Sequence, residues 1–256
     1  MTTVTLAPRA ARPVRQEWDR LRAATTQGDV FDLTMVADLP EPARRWLTHA
    51  IAPGTPLWRS AELAMHGQIR LSAWRPFTAT QVLAPPDGYI WAATARFLRL
   101  PVVGYDRLSS GTAEMRWRLL GVVPVMTAEG PDIARSAAGR LAGEGVLLPT
   151  TFRAATWAHS GHPDTAVATW RIGGEEQAVE LHVGPDGQLL GVLLRRWGTP
   201  NGAPYGQYPF GVAVDAERAF AGITIPSAFR AGWWWGTERQ DEGEFFRARI
   251  TRATFR

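Results

Sequence analysis

The feature that most constrains this chain is a period-two alternation of apolar and polar residues that returns in short runs from Trp58 onward. In the first run Ala61, Leu63, Met65, Ile69 and Leu71 point one way, and Ser60, Glu62, His66, Gln68 and Arg70 point the other. Successive side chains of an extended strand face opposite sides, so this spacing predicts a strand with one dry face. Gly67 inside it is read as a bulge. Further strands are expected over 77–83, 89–97 and 114–120, the last setting Met115, Trp117 and Leu119 (dry) against Glu114, Arg116 and Arg118 (wet). The second half is nearly all β, with strands over 165–172, 178–183, 188–197, 212–215, 224–235 and 244–255. Pro85-Pro86-Asp87-Gly88 and Gly184-Pro185-Asp186-Gly187 read as turns between strands. The stretch 198–211, rich in glycine, proline and tyrosine, reads as the one long irregular segment, a lid or rim loop.

Helices are sparse. Trp18, Leu21 and Arg22 mark a short amphipathic helix over 15–25, Pro40-Glu41-Pro42 opens a second with Trp46, Leu47 and Ala50 as its apolar face, and Gly130-Pro131-Asp132 opens a third. Residues 1–15 hold no apolar stretch and read as a floppy arm. The expected architecture is mostly β (α+β): a curved antiparallel half-barrel or barrel of about ten strands, with a few short helices closing an apolar cavity. Residues 1–38 form an N-terminal arm and short helix, and 39–256 a single β-rich domain.

Composition removes whole classes of chemistry. At 256 residues the chain can bury roughly 70–75% of its unfolded surface without staples. It has no cysteine, which removes thiolate nucleophiles, Cys-ligated zinc and iron–sulfur clusters together. All 28 basic residues are arginine, which excludes Schiff-base chemistry and a lysine-bearing phosphate loop. The net charge of +4 is carried by arginines scattered among acids, so no nucleic-acid partner is expected. The longest apolar run, 119–126, contains Pro124 and is far short of a membrane span; with no signal peptide either, a cytoplasmic location is expected.

The residues that bear chemistry are few. Twelve tryptophans against four tyrosines is an unusual balance, and Trp233-Trp234-Trp235 puts indoles on both faces of one strand. They either fill a wide barrel or line a hydrophobic cavity. Glu129, Asp132, Arg140 and Glu144 make the best polar constellation. Arg140 and Glu144 share a helix face four residues apart, but Arg precedes Glu, the less favourable order for a surface pair. They are either a structural ion pair, with Asp132 at the helix start, or a site that orients a polar head group or exchanges protons. His159-Ser160-Gly161-His162-Pro163-Asp164 reads as a turn without a third ligand, and His49, His66 and His182 stand singly. There is no nucleophile elbow, P-loop or dinucleotide fingerprint, and Gly139, Gly143 and Gly145 have the wrong spacing for one. No metal or cofactor is expected.

The order of several motifs resembles a large uncharacterised bacterial family, known only as a domain of unknown function. The resemblance runs from Leu39 to Phe255. It rests on Leu39-Pro40-Glu41-Pro42 with Arg45 and Trp46, Gly67-Gln68-Ile69-Arg70 followed by Trp74-Arg75-Pro76-Phe77, and Pro85-Pro86-Asp87-Gly88-Tyr89-Ile90-Trp91. It continues through Gly104 with Asp106, 119–125 running into Gly130-Pro131-Asp132, Arg140 with Glu144 and Pro149, and Phe220-Ala221-Gly222-Ile223-Thr224-Ile225-Pro226. The resemblance implies the half-barrel of bacterial lipoprotein carriers and no settled activity. Leu147 and Leu148 stand where the family pattern carries an aromatic, and the membrane segment of some relatives is not matched here.

The leading expectation is a hydrophobic small-molecule ligand in a Trp-lined cavity. Trp91, Trp117, Tyr105, Asp106, Trp197 and Trp234 are the ligand-binding candidates, and Arg140, Glu144 and Asp132 the polar or catalytic end. The alternatives are a cofactor-independent cyclase or isomerase using the same cavity, and an interaction module that presents exposed indoles.

Overall fold

In the computed structural model the described residues are 7–23, 28–97 and 99–256. They form one antiparallel sheet of 13 strands with four α-helices. In chain order the elements are α1 (Arg15–Arg22), α2 (Glu41–Ala50), β1 (Ala61–Arg70), β2 (Trp74–Ala84), β3 (Gly88–Phe97), β4 (Leu100–Ser109), β5 (Thr112–Leu119) and β6 (Val123–Glu129). Then come α3 (Pro131–Glu144), β7 (Thr156–His159), β8 (Thr165–Ile172), β9 (Glu175–Val183), β10 (Leu189–Gly198), β11 (Gly206–Phe220), β12 (Ile223–Trp233), α4 (Gln240–Gly243) and β13 (Glu244–Phe255).

The strand order is β6-β5-β4-β3-β2-β1-β13-β12-β11-β10-β9-β8-β7. Two meanders therefore form two wings, joined where β1 pairs with β13. The two edge strands, β6 and β7, are neighbours in sequence, linked only by α3 and two 3₁₀ turns, so the chain must cross the sheet between them. From β4 to β10 the order runs seven steps, about 33 Å on a flat sheet at the usual strand spacing. A helix about 10–12 Å across touches both wings nonetheless: Arg140 on α3 reaches Asp106 on β4 at 3.0 Å, and Arg196 on β10 reaches the Ser136 carbonyl at 3.1 Å. The sheet is therefore curled round α3, which occupies its concave face.

The wings meet closely at the β1–β13 seam. A Cβ at Gly67 would stand 1.9 Å from the Arg247 carbonyl oxygen, so only glycine lets the two backbones approach. The expected bulge lies elsewhere in this pair: the register slips between Ala64 and Met65, which leaves Thr251 of β13 unmatched.

Strands β2 to β4 are buried on both faces. Leu83, Tyr89, Trp91 and Ala93 belong to the inner core. Val82, Ala84, Ile90, Ala92 and Tyr105 belong to an outer core beneath Ala11, Val14, Trp18 and Leu21. The expected floppy arm is thus corrected, because Arg9–Val14 form a 3₁₀ helix whose Ala11 and Val14 are buried; residues 1–6 lie outside the described part. Burying Trp18 and Leu21 contributes on the order of 2–3 kcal/mol each, enough to hold this short segment down. The covering layer also corrects the wet face of β5: Glu114 is buried, accepting from Tyr105 Oη at 3.0 Å and Arg107 Nε at 3.3 Å. Three strands exceed the sequence expectation, namely β4, β6 and β7. The expected loop 198–211 shrinks to 199–205, because β11 already starts at Gly206 and pairs with β10 from there.

Gly67→Ala is expected to lower stability by about 1–3 kcal/mol, as overpacking does. Gly161→Ala, which meets no atom within 4 Å, should be neutral. Denaturant unfolding of both variants checks this; equal stability would contradict a tight seam at β1–β13.

Candidate functional site

Between α3 and the concave face lies a cavity of about 370 Å³. Its floor and walls are Ile69, Trp91, Met115, Phe210, Val212, Pro226, Phe229, Ala231, Trp233, Phe245 and Phe246. Alternation on β12 explains part of this lining, because Phe229, Ala231 and Trp233 are two residues apart and share the inner face. Phe245 and Phe246 are consecutive yet both reach the cavity. The register slips between Ala231 and Gly232 there, and Phe245 is the extra residue of the bulge. Gly198 makes room for the Trp233 ring, which lies 2.4 Å from where a Cβ would be. The rings pack edge to face or tilted, with Phe77–Trp91 centroids 5.5 Å apart, Phe210–Trp233 5.1 Å and Phe229–Phe246 6.2 Å.

The lid is the polar face of α3. Ser136, Arg140 and Glu144 recur every four residues and so line one stripe of the helix towards the cavity. Arg140 is the hub: its Nε donates to Glu144 Oε1 at 2.7 Å and its Nη1 to Asp106 Oδ2 at 3.0 Å, with Cζ 4.6 Å from the Tyr89 ring centroid. Asp106 Oδ1 accepts from Trp117 Nε1 at 2.8 Å, and Glu144 Oε2 from the buried Gln81 amide. All four carboxylate oxygens are thereby engaged. Burial pushes the Asp106 carboxyl above its ordinary range, opposed by Arg140 and the Trp117 hydrogen bond. Burial disfavours the Arg140 charge as well, but Glu144, Tyr89 and Asp106 outweigh it and hold the guanidinium firmly protonated. The Tyr89 hydroxyl, buried beside them, is pushed up to about 12.

The second arginine in the lining is Arg196 on β10. Its Nε donates to the Ser136 carbonyl at 3.1 Å and its Nη2 approaches Ser136 Oγ at 3.4 Å. Its guanidinium carbon lies 4.7 Å from the Phe210 ring centroid and 5.0 Å from that of Trp233.

The structure thus brings Arg140, Glu144, Asp106 and Trp91 of the expected residues together at the cavity. Trp117 stands behind the wall, where it holds Asp106. Tyr105 corrects the expectation. As the neighbour of Asp106 on one strand it must face the other side, and it lies in the outer core. Asp132 is two turns from Arg140 along α3 and accepts from Trp197 Nε1 at 2.9 Å, outside the lining. Trp197 itself is sandwiched between Arg135, 3.7 Å from the ring centroid, and the stacked Tyr205 ring. Trp234 has a positive φ of 57° just past β12 and packs on Tyr208 and Arg239 away from the cavity. Its neighbour Trp233 takes the inner place. The lining is accordingly more phenylalanine than tryptophan, with four of the former and two of the latter. Among the described residues no tryptophan is fully exposed, and Trp58, Trp74, Trp157, Trp197, Trp233, Trp234 and Trp235 are half-buried. Arg196, Phe210, Phe229, Phe245 and Phe246 escaped sequence reasoning, whereas the Trp233-Trp234-Trp235 run pointed to an inward indole without saying which. Period-two spacing back from Trp233 was the signal available for Phe229.

No helix among the described residues is long and apolar enough to cross a membrane. No curated protein matches the chain. Among solved structures it is similar to a domain assigned as an outer membrane lipoprotein-sorting protein in Vibrio parahaemolyticus, at 8% identity and TM-score 0.43, over 78% of this chain and 86% of that one. It is also similar to a LolA superfamily protein from Nitrosomonas europaea, at 8% identity and TM-score 0.42, over 77% and 85%. A DUF1329 family protein from Desulfovibrio piger follows, at 10% identity and TM-score 0.33, over 84% and 90%. At such values the likeness says nothing of ligand. The sequence itself matches the model of one family over residues 29–246, which is most of its length. This chain, a curled antiparallel sheet with a helix laid across its concave face, belongs to the family of unknown function DUF6544.

Proposed function

We propose that the protein binds a hydrophobic small molecule in the cavity between α3 and the concave face, with Arg140, Asp106 and Glu144 at its polar end. The observation that carries this reading is the cavity itself. It measures about 370 Å³, within the roughly 300–1,000 Å³ of small-molecule sites, and its aromatic and aliphatic walls meet a few polar groups, chiefly Ser136, Arg140 and Glu144 on α3 with Asp106 and Arg196. A larger depression of about 690 Å³ on the outer face is lined by Thr78, Thr80, Thr94 and arginines beside the N-terminal 3₁₀ helix, and has no comparable apolar wall. The binding reading also has more support than an acid/base enzyme. Each oxygen of Glu144 and Asp106 already accepts one hydrogen bond from within the fold, so holding Arg140 in place accounts for the cluster without a proton-transfer role.

Native mass spectrometry of the purified protein, followed by solvent extraction, is expected to show a mass shift and to release an apolar compound. A clean unliganded mass that no panel of hydrophobic compounds shifts would sink the reading. Ala231→Phe should fill the cavity from β12 and cut uptake of such a compound by about tenfold or more, the cost of displacing a few buried methylenes. Undiminished uptake in a folded Ala231→Phe protein would place the ligand elsewhere.

A further inference from the structure

The two arginines of the cavity are not equivalent. Arg140 is pinned between two carboxylates and its charge is spent within the fold. Arg196 has no carboxylate within ion-pair distance among the described residues; its partners are the Ser136 carbonyl and hydroxyl and the faces of Phe210 and Trp233. No acceptor among them engages its Nη1, although the side chain lines the cavity. The arrangement holds the guanidinium in one place. Its stem passes Gly139, where a Cβ would come to 3.0 Å of Arg196 Cγ, and Ser136 fixes one edge of the fork. Two aromatic faces shield it from water.

A cation in such a place is costly. Burial depresses the Arg196 guanidinium to about 10, opposed by Tyr89, Glu144 and Asp106, while the like charge of Arg140 adds to the depression. It is still protonated at neutral pH, so the protein keeps a half-buried, partly desolvated charge beside an apolar cavity without a contact counter-ion among the described residues. An anionic group on the cavity's occupant would supply that counter-ion, and a planar guanidinium is matched to the two oxygens of a carboxylate or phosphate.

We propose that Arg196 is the head-group site of this cavity, and that the ligand is an anionic amphiphile whose carboxylate or phosphate pairs with Arg196 while its apolar chain lies against Phe229, Phe245, Phe246 and Trp233. The inference rests on the binding reading above and narrows it to a ligand class. Arg140 positions α3 and leaves the charge recognition to Arg196.

Calorimetric titration with dodecanoate, dodecyl phosphate and dodecanol separates head from chain. The wild-type protein should bind at least one of the two anions about tenfold or more tightly than the alcohol, the usual worth of a charge-assisted hydrogen bond. Whichever anion binds more tightly tells whether the head is a fatty-acid carboxylate or a phosphate. In Arg196→Met the preference for the anion over dodecanol should vanish. Should that variant not fold, Arg196→Lys keeps the charge without the planar fork and should retain a reduced preference. Equal binding of all three compounds by the wild type, a preference that survives Arg196→Met, or a preference that Arg196→Lys leaves undiminished would overturn the assignment to Arg196 and leave the cavity reading standing. Failure of all three to bind the wild type would overturn the cavity reading and this assignment with it.

Discussion

The structure depends on one buried cation. Arg140 reaches from the helix that crosses the sheet to a strand of the first wing, and it also ties the helix to itself through Glu144. A buried ion pair is a poor source of net stability, because taking charges out of water costs about as much as their attraction returns. Its worth here is positional. The alternative to the pair is a guanidinium without its carboxylates, and an Asp106 and a Glu144 left with only Trp117 and Gln81, so α3 has one favourable seat on the concave face. The gap left beneath that seat is the cavity.

The second constraint is the burial of β2 to β4 on both sides. The N-terminal segment covers the outer face with Trp18 and Leu21, so these strands carry apolar residues at nearly every position: Val82, Leu83 and Ala84, or Tyr89, Ile90, Trp91 and Ala92. A strand clamped in this way cannot slip by one residue without exchanging its two cores. It thereby gives Trp91 and Asp106 fixed places in the cavity wall, and the rigidity of the site is inherited from a layer that never touches it.

Much of this was legible in the sequence, and the rest was hidden for definable reasons. β1, β5 and most of the second wing are readable because one face is drier than the other, and β3 because it is a continuous apolar run behind the Pro85-Pro86-Asp87-Gly88 turn. β4 was missed because Gly104, Asp106 and Arg107 break its pattern, two of them because they serve the inner site and the outer core. β6 was missed because Pro124 reads as a breaker, yet an edge strand with a free side tolerates proline. The start of β11 reads as a loop because Gly206, Pro209 and Gly211 imitate one, although close packing explains at least Gly211, on which the Trp235 ring rests. Of the site, Arg140 and Glu144 followed from helical spacing and Asp106 from the family pattern. Tyr105 and Trp234 stand out by residue type alone, and strand alternation excludes Tyr105 once Asp106 is inside. Arg196 carried no sequence signal, because one arginine in Arg195-Arg196 looks like the other until the fold turns one inward.

The central claim is that Arg140 holds α3 over the cavity, and Arg140→Met tests it most directly. The substitution keeps the bulk of the stem and strands Asp106 and Glu144, so denaturant unfolding should show a loss of about 3–5 kcal/mol together with loss of ligand uptake. Stability and uptake equal to the wild type would contradict the account, because the helix would then be held by packing alone.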